Sequence, residues 1–292
     1  MGGPFPPLAR IFDVTAGFKG RLEPILAIHF ESTLWIARHS DKVIIGRFIR
    51  PTGFMSELLA APDSSSVIRE ARGLIELPRL LFQFPDLARQ PRGNGQPVLI
   101  LPGYGAGDIS TALLKTYLRL LGYRARGWGL GRNTGNAAEL LPRILKRAAS
   151  LARRGNRKVH LIGWSFGGYL ARELARERAD LIGQVITLGT PVVGGPKYTV
   201  FAKSFQSRGI DVEAIASAIE ARNRIAMCTP VIAIYSRRDA IVNWQACIDR
   251  NGTNVEHVEV RTTHFGFGFC PDVYKVIAQR LAADRQTAKD SN

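Results

Sequence analysis

Val159-His160-Leu161-Ile162-Gly163-Trp164-Ser165-Phe166-Gly167-Gly168-Tyr169 is the stretch on which the reading of this chain turns. Val159–Ile162 predicts a strand that enters the turn, and Tyr169–Arg178 predicts a helix. Between them the chain must reverse sharply, which leaves Ser165 on a strained backbone with its hydroxyl exposed at the sheet edge. Gly163 and Gly167 lack Cβ atoms, so the flanking backbones can approach closely, and Gly168 extends that allowance to helix packing. A bare G-x-S-x-G arises by chance in many chains, and a tight structural turn that happens to hold serine is the alternative. The strand before it and the helix after it supply the context that favours a nucleophile.

Working outward, the same alternation recurs. Strands are predicted at Val98–Leu101, Tyr123–Trp128, Gln184–Leu188, Val231–Tyr235 and Val255–Val260. Helices are predicted at Thr111–Leu121, Ala137–Ala152 and Val273–Ala282. This order implies an α/β chain with a mostly parallel, doubly wound sheet and helices on both faces. The gap from about Pro191 to Thr229 exceeds a simple crossover and holds helical candidates at Tyr198–Gln206 and Val212–Arg222, which reads as a small lid above the carboxyl ends of the strands. Residues 1–65 have a different texture and form an N-terminal extension whose segments Leu22–Phe30 and Lys42–Ile49 could be strands. A domain of 66–292 follows, opened by a helix over Val67 to about Leu81 with Ile68, Ala71, Leu74, Ile75 and Leu81 as its apolar positions.

A serine hydroxyl needs a base, and the base needs an orienting acid. Of the five histidines, His29 and His39 lie in the extension, His160 sits inside a strand, and His257 alternates within another, so exposure is its plain reading. His264, in a loop after the last strand, is the expected general base. Asp239, directly after Val231–Tyr235, is the expected acid; Asp249 lies deeper in a polar loop and Asp272 resembles a helix cap. The order Ser165, Asp239, His264 is the order in which hydrolases on doubly wound sheets carry their triads. An oxyanion hole requires two backbone donors, and Phe166 and Tyr104 are the candidates. Tyr104 lies in Pro102-Gly103-Tyr104-Gly105, which no G-K-[ST] follows, so nucleotide binding is excluded. Trp128 and Trp164 are candidate walls of a substrate pocket, although Gly127–Gly135 reads equally well as a plain glycine-rich connection.

At Leu101–Tyr104, the Ser165 turn, Leu188-Gly189-Thr190-Pro191, Ser236–Val242 and Thr263-His264 the sequence resembles the bacterial lipase/esterase branch of the α/β-hydrolases. The resemblance covers about residues 67–285. It implies the α/β-hydrolase fold and a carboxylic ester hydrolase needing no metal or other cofactor. Ser165, Asp239 and His264 would be catalytic, and Tyr104 and Phe166 would serve the oxyanion. The lack of a His-Gly start before Tyr104 and the short lid point away from long-chain triglyceride. Acyl transfer or thioester cleavage by the same triad, and a non-catalytic binding module on this fold, are the alternatives.

Bulk composition adds little chemistry. Apolar residues make up 46% and charged residues 22%, ordinary for a chain with a sizeable core. The formal charge of +16 divides into +3 over residues 1–92 and +13 over residues 93–292. Its densest run is Arg143, Lys146, Arg147, Arg153, Arg154, Arg157 and Lys158, which reads first as a solvated helix face and second as a weak contact for an anionic membrane surface. No aromatic residues interleave it, so nucleic acid is not an expected partner; a small-molecule or lipid ester is. Cys228, Cys247 and Cys270 have no metal-ligand spacing and read as mostly buried thiols, with a Cys228–Cys247 bridge as the minority view. The start Met1-Gly2-Gly3-Pro4 lacks the pattern of a signal peptide, and Ile25–Ala37 is interrupted by His29 and Glu31, so a cytoplasmic protein is expected.

Overall fold

The computed structural model describes residues 34–39, 42–47 and 59–290. Two compact units are distinguished, one within Val14–Ala60 and one built by the chain from Ala61 onward. In the first, β1 (Leu34–His39) and β2 (Lys42–Arg47) form an antiparallel hairpin whose register pairs Leu34 with Arg47 and His39 with Lys42. The strand expected at Leu22–Phe30 lies outside the described residues.

The second unit is a six-stranded parallel sheet of β3 (Pro97–Leu101), β4 (Arg124–Gly127), β5 (Val159–Trp164), β6 (Ile182–Leu188), β7 (Val231–Tyr235) and β8 (Val255–Glu259). Its spatial order is β4-β3-β5-β6-β7-β8, so the chain starts near one edge and winds in both directions. Successive residues of a strand face opposite sides. Val98, Ile100, Ile162 and Ile186 therefore join one core with Leu118 of α3 (Ala112–Leu120) and Tyr274 and Ile277 of α8 (Pro271–Asp290). Leu99, Leu101, Leu161 and Val185 join the other, with Ile144 of α4 (Ala137–Gly155) and Leu170 of α5 (Phe166–Glu177). Sheet residues buried on both faces explain the unbroken apolar runs.

The segment opening this unit departs from expectation. Ser64–Ile75 is a 3₁₀ helix, followed by α1 (Glu76–Phe82) and α2 (Phe84–Ala88). At three residues per turn, Glu70, Gly73 and Glu76 share one face, and all three are buried. The apolar residues Ile68, Leu74, Ile75 and Leu81, expected to face a core, are exposed instead, and so is Ala71. A pattern counted at 3.6 residues per turn chose the wrong face.

Between β6 and β7 the chain forms a 3₁₀ turn at Gly195–Tyr198, then α6 (Ala202–Ser207) and α7 (Val212–Asn223). Much of the basic run on and after α4 is occupied locally. Arg143 pairs with Glu139 at 2.9 Å, Arg147 donates to the Gly129 carbonyl, Arg157 to Asn94, and Lys158 to the Ala179 carbonyl. Cys228, Cys247 and Cys270 are all free thiols, so no Cys228–Cys247 bridge forms; Cys228 is exposed and the other two are buried. Among the described residues no helix is long and apolar enough to cross a membrane.

Arg172 on α5 and Asp249 form a buried ion pair at 2.5 Å, with side chains 4% and 7% exposed. Burial alone would raise the Asp249 carboxyl, but the Arg172 charge and hydrogen bond and the amides of Asn251 and Gly252 hold it below the usual carboxylate range. Asp249→Asn leaves a buried guanidinium uncompensated and is expected to cost about 3–5 kcal/mol in urea unfolding. Because the folded value is depressed, the pair's contribution is complete above the ordinary carboxylate pKa of about 3.9 and fades as pH falls through the lower folded value. The variant's stability should accordingly fall less steeply with acid than that of the parent.

Candidate active site

Ser165 stands between β5 and α5 with φ 54° and ψ −122°, one of two non-glycine residues at positive φ among those described. This conformation is costly for a residue with a side chain and persists only where the surroundings impose it. They do so here: the Ser165 amide donates to the Leu188 carbonyl at 2.8 Å, and the Thr190 hydroxyl donates to the Ser165 carbonyl at 2.9 Å. A Cβ on Gly163 would collide with the backbone of Gly167 and Gly168, and one on Gly167 with the Leu101 carbonyl. Ser165 itself is half-buried at the carboxyl edge of the sheet.

The loops after β7 and β8 bring Asp239 and His264 together. His264 Nδ1 lies 2.7 Å from Asp239 Oδ2, in a pair whose side chains are 6% and 0% exposed. The other carboxylate oxygen, Oδ1, accepts from the amides of Ile241 and Val242 at 2.9 and 2.8 Å, which fixes the acid's orientation. The imidazole is bounded by aromatic rings, with centroids 6.1 Å away at Phe267, 6.2 Å at Trp164 and 6.4 Å at Phe265. Gly189 ties this pair to the Ser165 turn, since it directly follows Leu188 on β6 and has φ +53°. A Cβ there would lie 2.9 Å from Asp239 Oδ2 and 3.0 Å from His264 Nδ1, so only glycine leaves the pair its space.

The competing residues are engaged elsewhere. Asp249 is held by Arg172, and its amide donates to His257 Nε2 at 3.0 Å; Asp272 accepts from Arg79. His257, expected to be exposed, is half-buried through this contact. His160 is buried within β5.

Phe166 is the first residue of α5, whose opening amides have no acceptor within the helix. Tyr104 follows Gly103, at which a Cβ would lie 3.4 Å from Ser165 Cβ, so both expected oxyanion residues flank the serine. Asn133 braces the Tyr104 loop, although the sequence singled out no role for it. It is 1% exposed, donates from Nδ2 to the Pro102 carbonyl, donates from its amide to the Ala106 carbonyl, and accepts from the Gly105 amide. The Tyr104 ring packs edge-on against Phe205 of α6 at 5.4 Å and Phe201 at 6.2 Å, giving this side of the site an apolar rim.

Of the two tryptophans expected to line a pocket, Trp164 stands beside His264. Its indole N–H is buried with no hydrogen-bond partner among the described residues. Trp128 is different. It is fully buried in the core with Leu99, Leu140 and Ile144, and its indole N–H donates to the Gly131 carbonyl. It fills the space between β3 and α4 rather than walling an open pocket.

Glu70 is the further polar group that sequence reading missed. It is 2% exposed and accepts from the amides of Ala240 at 2.9 Å, His264 at 3.2 Å and Phe265 at 2.8 Å. A lone glutamate in an apparently amphipathic helix carries no sequence signal for such a contact. Among the described residues no three His, Cys, Asp or Glu side chains converge as a metal site.

A parallel sheet with a strained serine at the strand-to-helix turn after β5, and an acid–histidine pair delivered after β7 and β8, is the arrangement of the α/β-hydrolases. The model of the alpha/beta hydrolase family matches residues 98–278, more than half of the chain, and the protein belongs to that family. Solved structures agree in fold. One of the metagenome-derived lipolytic enzymes LipS and LipT is similar at a TM-score of 0.53 and 15% identity, over 68% of this chain and 96% of that one. A monoacylglycerol lipase from Paleococcus ferrophilus gives 0.51 and 16% over 65% and 96%, and Est1E from Butyrivibrio proteoclasticus 0.50 and 13% over 68% and 92%. The comparison with curated proteins finds no match.

Proposed function

We propose that the protein hydrolyses carboxylic esters through an acyl-enzyme formed on Ser165. The observation that carries this reading is the Asp239–His264 pair at 2.7 Å against Gly189, whose neighbour Leu188 accepts the Ser165 amide. Asp239 accepts a hydrogen bond from Nδ1–H, which holds that proton on Nδ1 and so leaves Nε2 of His264 free to take the proton of Ser165 Oγ. The oxygen attacks the ester carbonyl, and the charge that develops there falls to the amides of Phe166 and Tyr104. When the C–O bond to the alcohol breaks, His264 returns its proton to the leaving oxygen. Water then adds to the acyl group with His264 again as base, releasing the carboxylic acid and restoring Ser165. The dry, aromatic surroundings of His264 and the rim of Tyr104, Phe201 and Phe205 favour an apolar acyl group. That the lipolytic proteins similar in fold act on lipid esters is consistent with this choice.

The test is a panel of p-nitrophenyl esters of increasing acyl length, run beside thioesters and amides, with fluorophosphonate labelling of the same preparation. Turnover of esters together with labelling is expected. Folded protein that is neither labelled nor active would overturn the proposal in favour of a binding module. Labelling with turnover confined to thioesters, or only with an added acyl acceptor, would replace hydrolysis of esters with the alternative chemistry.

A further inference from the structure

We propose that Glu70 is a positioning residue of this active site, a buried carboxylate that locks the acid-bearing loop to the base-bearing loop. The inference rests on the reading of Asp239 and His264 given above. Those two residues follow different strands, and their loops are otherwise joined near the site through Ser236, whose hydroxyl donates to the Thr262 carbonyl at 2.5 Å and accepts from the Thr262 amide at 3.3 Å. Glu70 bridges the loops much closer to the reacting groups. Oε1 accepts from Ala240, which adjoins Asp239, and also from His264 itself, while Oε2 accepts from Phe265. Charge-assisted hydrogen bonds from three amides to one buried carboxylate are of the strong kind, and the group has no freedom to wander.

The segment that carries Glu70 is shaped for the task. Its three-residue period turns Glu70 and Gly73 to the same side. A Cβ at Gly73 would lie 2.5 Å from Thr263 Oγ1 and 2.9 Å from the Gly266 amide, so the backbone lies directly on the histidine loop. The Thr263 hydroxyl points back to the Glu70 carbonyl at 3.5 Å. This strap precedes residue 98, where the match to the family model begins, so part of this chain's site geometry is supplied from outside the matched span.

The experiment compares Glu70→Ala and Glu70→Gln with the parent 292-residue chain, well below their melting temperatures. Alanine removes all three acceptors. Freeing the loops by even an ångström is expected to lower kcat about 10²-fold with KM for a short ester nearly unchanged. Glutamine retains one oxygen for Ala240 and His264 but sets an amide N–H against that of Phe265, and should recover part of the lost rate. The downfield proton resonance of the Asp239–His264 hydrogen bond should be present in the parent and shifted or lost in the alanine variant. A lower melting temperature with kcat and this resonance intact in both variants would overturn the proposal and leave Glu70 a stability residue. If the alanine variant does not fold, the glutamine variant alone decides by the same two readouts. A parent that shows the resonance but no turnover or labelling would refute the catalytic reading, while the effect of Glu70 on the resonance would still decide the clamp.

Discussion

Ser165→Ala is expected to abolish ester turnover, with a loss on the order of 10⁴-fold or more in kcat, while the protein remains folded. Alanine removes only the oxygen. The bonds that force the turn use the Ser165 amide and carbonyl, and both survive the change. The conformation at φ 54° is no easier for alanine than for serine, so stability should change little and the effect should fall on kcat. Circular dichroism and urea unfolding alongside the kinetics separate the two. Most of the activity persisting in a folded variant would remove Ser165 from the mechanism.

Asp239→Asn should cost nearly as much, about 10⁴-fold in kcat, by a different route. The asparagine oxygen can keep the two amides of Ile241 and Val242, so its NH₂ is then turned toward His264 Nδ1. A donor in that position selects the tautomer with the proton on Nε2, the nitrogen that must be bare to accept from serine. The histidine stays in place but carries its proton on the wrong side. Binding of a short ester should therefore persist while the chemical step fails. A loss in KM alone would show that Asp239 shapes the pocket and does not orient the base.

The sheet was legible in the sequence because strands buried on both faces are dominated by apolar residues, as Val98–Leu101 and Val231–Ile234 are. The turn around Ser165 was legible because close backbone approach demands glycine. Asp239 and His264 could be sought by chain order, each directly after a predicted strand, and the two side chains do meet. What stayed hidden depends on surroundings that local pattern does not encode. Glu70 is buried by a 3₁₀ period that its apolar neighbours contradict, and its partners lie 170 or more positions away. Asn133 acts through its backbone as much as its side chain, so its residue type announced only part of its role. Trp128 was ambiguous for a simpler reason. A large ring after a strand packs a core as readily as it lines a pocket, and only the arrival of α4 decides between them.

The two sheltered cysteines bear on how covalent chemistry is apportioned in this molecule. Cys247 is pushed well above the ordinary thiol range by burial and by the nearby Asp239 charge, and burial pushes Cys270 up to about 11. Neither furnishes an appreciable thiolate at neutral pH, and the thiolate is the form that attacks. Sulfur therefore does not compete with oxygen for an electrophile that reaches the interior. An acyl adduct retained there belongs to an oxyester, distinguishable from a thioester by its slower cleavage with neutral hydroxylamine.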